Sequence, residues 1–118
     1  MKRLLLVIRA TPYGGIRARE ALDAALLCSA FAPDIALLFS GDGVCQLVRG
    51  QRPEGIAAGS QEAMLGALAE YDITRVYADG AALSSRGLRH APLLSGVSVL
   101  DDAGVRELLR AHDRVLTL

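Results

Sequence analysis

The chain has 118 residues, of which 52% are hydrophobic, so one ordinary domain's length can build a core without disulfides or a structural metal. Thirteen basic residues balance thirteen acidic ones, which argues against gripping nucleic acid or an anionic membrane through net charge. The two cysteines, Cys28 and Cys45, form no Cys-x-x-Cys pair and cannot make the disulfide framework of a small secreted domain.

The chain opens "MKRLLLVIRATPYGG". Its apolar run, Leu4–Ile8, ends at Arg9, which is too short for a signal peptide or a spanning helix. The expectation is a cytoplasmic protein with no membrane segment. Leu4–Ile8 reads instead as the first strand. Further apolar runs at Ile35–Phe39, Arg75–Ala78, Val97–Leu100 and Val115–Leu118 read as the other strands. Most do not alternate polar and apolar residues, which is the pattern of strands covered on both faces.

Helical stretches lie between these runs. Gly15–Ala32 is rich in Ala, Leu, Arg and Glu. Gln61–Tyr71 places Met64, Leu65, Leu68 and Tyr71 at helical spacing, with Ser60 as an N-cap. Asp102–Ala111 carries acids at its start and Arg110 near its end, which suits the helix dipole. "AALSSRGL" reads as a short helix ended by Gly87, and "RHAPLLSG" as a loop into the fourth strand. Alternating strands and helices predict an α/β fold: a single domain over residues 1–118, with a mostly parallel five-stranded sheet and helices on both faces.

One part of the first helix is too apolar for a helix lying on a sheet. Ala24 to Ala32 reads "AALLCSAFA", with Ser29 its one polar residue. Such a helix normally keeps a wet face. Either a second layer of the domain covers this half or another subunit does; a subunit interface is favoured, because a domain this small has little left to cover it.

Ligands of open α/β sheets bind beyond the carboxyl ends of the strands. "RATPYGG", "SGDGVCQL" and "DGAALSSRG" are predicted to converge there. The first matches no dinucleotide or P-loop fingerprint and reads as a plain turn. In the second, Asp42 sits between glycines and Cys45 follows. A thiol at a helix N-terminus beside Arg49 or Arg52 is nucleophilic, whereas the plain alternative is a small residue packed under the loop. In the third, Asp79 can pair with Asp42, but His90 and His112 stand apart, and no metal or triad spacing emerges. Cys28, mid-helix among alanines, reads as packing.

The segments "GDGVCQLVRGQRP", "YDITRVYADGAALSSRGL" and "HDRVLTL", with the helix "REALDAALLCSAF", resemble the TusC/DsrF branch of the DsrE-like proteins. The likeness runs through nearly the whole chain. It implies a small flavodoxin-like domain of DsrE type without flavin or other cofactor. It also implies a heterohexamer with TusB-like and TusD-like chains. That complex takes persulfide sulfur from a cysteine desulfurase and a TusA-type carrier and passes it to TusE, for 2-thiolation of the wobble uridine of tRNA. Direct nucleic-acid contact by this chain is not implied.

In the catalytic branch of the family the sulfur-carrying cysteine follows the third strand. Aligning on "RGL", Arg86–Leu88, puts that position at or next to Asp79, where the chain reads Ala78, Asp79, Gly80. Aspartate cannot carry a persulfide, so the resemblance implies a non-carrying, structural subunit. It also makes Cys45 a contact residue, since TusC-like chains commonly have an aromatic there. The expected contact residues are Gly41, Asp42, Gly43, Val44, Cys45 and Gln46 on the signature turn, with Leu27 and Phe31 on the first helix. The alternatives are a sulfurtransferase using Cys45 itself, a DsrF-like subunit in sulfur oxidation, and a small-molecule or nucleotide-binding module.

Overall fold

The computed structural model describes residues 3–11, 17–30, 34–48 and 65–118. Five strands, β1 (Leu4–Ile8), β2 (Ile35–Phe39), β3 (Arg75–Asp79), β4 (Val97–Leu100) and β5 (Arg114–Thr117), form one sheet in the order β4-β3-β2-β1-β5. Every neighbouring pair is parallel. All five predicted strands are present; β3 runs one residue longer than expected and β5 begins and ends one residue earlier.

The burial follows from this order. β2 lies at the centre and all its residues, "IALLF", are buried. β1, next to it, buries four of five. β5, at one edge, buries none of "RVLT". The continuous apolar runs therefore mean two different things: at the centre they are covered by this chain's own helices, and at the edge they are not.

Three helices are described: α1 (Arg17–Ser29), α2 (Gly80–Ser85) and α3 (Asp102–Arg110). The strands advance from β1 to β4 in one direction, and the chain then returns across the sheet to place β5 beside β1. Right-handed crossovers put connections of opposite direction on opposite faces. Accordingly Leu6, Ile8, Leu37 and Phe39 pack with Leu22 and Ala25 of α1 and Ala82 and Leu83 of α2 on one face. Leu5, Val7, Ala36 and Leu38 pack with Leu108 of α3 on the other. The single reversal comes between β4 and β5, whereas flavodoxin's strand order reverses after β2.

Between β2 and β3 the chain contributes Leu65, Leu68 and Ile73 to the α1 face. The expected helix through Tyr71 ends instead as a 3-10 segment, Leu68–Tyr71, closed by Asp72 with φ +63°. Its expected start, with Ser60 and Met64, lies outside the described residues, as do Phe31, Arg49 and Arg52.

Caps fix the remaining helices. Asp79 caps α2, accepting from the Ala81 N–H at 3.1 Å, and Asp101 caps α3, accepting from Gly104 at 2.7 Å; each such cap contributes about 1 kcal/mol. Past α2 the chain turns at Gly87, whose φ of +70° suits the glycine expected there. At the amino ends of the strands, Asp34 accepts from both Arg3 and Arg75, joining the starts of β1, β2 and β3. Among the described residues no helix is long and apolar enough to cross a membrane.

Candidate functional site

The carboxyl ends of β1, β2 and β3 lead into the stretches that the sequence singles out; in the first, residues 12–15 lie outside the described residues. The signature stretch after β2 is not a tight turn followed by loop. It is a seven-residue 3-10 helix, Gly41–Leu47, that starts at Gly41 with φ +53° and buries Gly43, Val44, Gln46 and Leu47. This segment lies directly on the end of β1. A Cβ on residue 43 would stand 2.1 Å from the Ile8 carbonyl oxygen, so only glycine fits. Ser40 donates its backbone N–H to the same Ile8 carbonyl at 3.0 Å.

Three ties lock the segment to its neighbours. Gln46, 1% exposed, donates from Nε2 to the Ala10 carbonyl at 2.6 Å, joining it to the loop after β1. Arg86 donates to Asp42 Oδ1 from Nε at 3.1 Å and from Nη2 at 2.8 Å, joining it to the end of α2. Leu94 donates its N–H to the Leu47 carbonyl at 2.9 Å, and Val48 pairs with Leu93, joining it to the segment that leads into β4. The glycines and polar residues of "GDGVCQL" are thus spent on holding three loops in one rigid platform.

Asp42 and Asp79 are each engaged elsewhere. Arg86 holds Asp42. Asp79 caps α2 through Oδ1, and its Oδ2 accepts from the Ser40 hydroxyl at 3.4 Å. Among the described residues no group of three His, Cys, Asp or Glu side chains could hold a metal ion. Cys45 is half-buried in the second half of the 3-10 helix, away from its N-terminus, and Cys28 is half-buried in α1 against the core. Neither is in a disulfide.

The two histidines part company. His90 is exposed. His112 is buried: its Nδ1 donates to the Leu108 carbonyl at 2.7 Å, closing the last turn of α3 as a local cap, and its Nε2 has no partner among the described residues. A carbonyl can only accept, so Nδ1 carries a proton.

Sequence reasoning did not assign a role to Ser40 or Arg86. The signal for Arg86 was the "RGL" that follows α2, but its partner Asp42 lies 44 residues away in the sequence. Gly80 was likewise unassigned, although a Cβ there would meet the Leu100 carbonyl oxygen at 2.8 Å. That close approach narrows the base of a cleft of about 460 Å³ between α2 and the β4–α3 junction, lined by Gly80, Arg89, Leu100 and Asp101. Here consecutive connections leave for opposite faces of the sheet, the arrangement that opens a crevice in α/β folds.

The arrangement is a partly buried platform in which Asp42 is held by Arg86 and Asp79 by Ser40 and the start of α2. Comparison with known proteins agrees with this picture of a small DsrE-type sheet. The profile of the DsrE/DsrF-like family matches residues 2–118. A protein TusC homolog of Pseudomonas aeruginosa is 40% identical over 115 residues, 98% of this chain and 97% of that one. Protein TusC of Shigella flexneri is 36% identical, with 98% of each covered, and the intracellular sulfur oxidation protein DsrF of Allochromatium vinosum is 34% identical over 99% of this chain and 96% of its own. The crystal structure of the ychN protein from E. coli superposes over the whole of both chains with a TM-score of 0.83 at 24% identity, and so matches in fold. The chain belongs to the DsrE/DsrF-like family.

Proposed function

We propose that this chain, as one DsrE/TusC-like domain over residues 1–118, is a non-carrying structural subunit of a TusBCD-type sulfur-relay complex in the cytoplasm. In this reading it assembles with TusB-like and TusD-like chains. The complex exchanges persulfide sulfur with TusA-type and TusE carriers on the way to 2-thiolation of the tRNA wobble uridine. The tRNA itself is not bound by this chain, and no cofactor takes part.

The observation that carries the proposal is Asp79. The family resemblance puts the carrier cysteine at or beside this position, and here the side chain caps α2 and accepts from Ser40. A carboxylate has no sulfur to be attacked and cannot form a persulfide. The full-length similarity to proteins named TusC supports the relay context. In this reading Gly43, Val44 and Gln46, buried within the chain, are scaffold, and Gly41, Asp42 and Cys45 are left to contact partners rather than to act as a reaction centre.

Incubation with a persulfide donor followed by intact-mass measurement of each chain of the complex tests this. The sulfur adduct is expected on the TusD-like chain and absent from this one. A stable adduct on Cys45 would establish the alternative, a sulfurtransferase acting through its own thiol.

The similarity to DsrF supports a second context, sulfur oxidation, with the same structural role. Loss of wobble 2-thiouridine on deletion of the gene favours the first context. Unchanged thiolation together with impaired oxidation of stored sulfur favours the second.

A further inference from the structure

We draw no further inference here: the strongest candidate, the apolar flank on which Leu27 of α1 is 66% and Leu116 of β5 46% exposed, with a groove of about 620 Å³ between α1 and β5, carries nothing, because nothing in the structure shows what covers it.

Discussion

Replacing Gly43 by alanine should unseat the platform, and the structure sets the size of the effect. The new Cβ would lie 2.1 Å from the Ile8 carbonyl oxygen and 2.9 Å from its carbonyl carbon, both backbone atoms that no rotamer change can move. Relief requires the 3-10 segment to retreat from β1 by roughly 1 Å, since such contacts are not tolerated below about 3 Å. That retreat stretches the Ser40 and Gln46 bonds to the end of β1 and loosens Val44 and Leu47, which are fully buried against the sheet. Overpacking of this kind costs about 1–3 kcal/mol, and partial exposure of two aliphatic side chains adds a further share. We expect a loss of about 3 kcal/mol, or a melting temperature lowered by about 10 °C or more in a domain of this size. Circular dichroism melts and urea titration of the Gly43→Ala chain measure it. Gly66→Ala is the control: its Cβ meets nothing within 4 Å, so the substitution should change stability by less than about 0.5 kcal/mol. Equal stabilities for the two variants would refute the claim that the segment rests on β1.

Other substitutions test other parts of the account. Leu37→Ala, at the fully buried centre of β2, should cost about 2–5 kcal/mol, whereas Leu116→Ala on the exposed edge strand should cost under about 1 kcal/mol in the isolated chain. Asp79→Ala removes the cap of α2 and should cost about 1 kcal/mol, while Asp79→Ser should restore most of it in the same melt. The Asp42–Arg86 pair is exposed on the Asp42 side. A double-mutant cycle with Asp42→Asn and Arg86→Gln should give a coupling of no more than about 1 kcal/mol, yet hydrogen exchange in Gly41–Leu47 should quicken in either variant.

Much of this fold is written in the sequence because its central strands are covered by the chain's own helices. Leu4–Ile8 and Ile35–Phe39 are unbroken apolar runs, and such runs identify buried parallel strands. The same signal at Val115–Leu118 is read correctly as a strand, but its exposure shows what a sequence pattern omits: it states that a strand is meant to be covered, not by what. The 3-10 helix was hidden for a different reason. Gly41 and Gly43 look like the corners of a tight turn, whereas Gly43 is glycine because a neighbouring backbone passes too close for a Cβ. That requirement comes from β1, more than thirty residues earlier, and no local pattern encodes it. The Asp42–Arg86 tie is non-local in the same way. Asp79 was legible as an exception to a family pattern, and its capping role follows from a local rule: aspartate immediately before a helix accepts from the free N–H groups of the first turn. The burial of His112 is non-local too, because it depends on α3 folding back over the sheet.

The central claim is that this chain supports sulfur relay without carrying sulfur. The most direct measurement is the wobble 2-thiouridine content of tRNA in cells whose only copy of the gene encodes the Cys28→Ser, Cys45→Ser chain, set beside wild-type and deletion strains. The account predicts wild-type thiolation with both thiols removed and loss of thiolation on deletion. Thiolation reduced to the deletion level by the cysteine substitutions, with the complex still assembled, would contradict it.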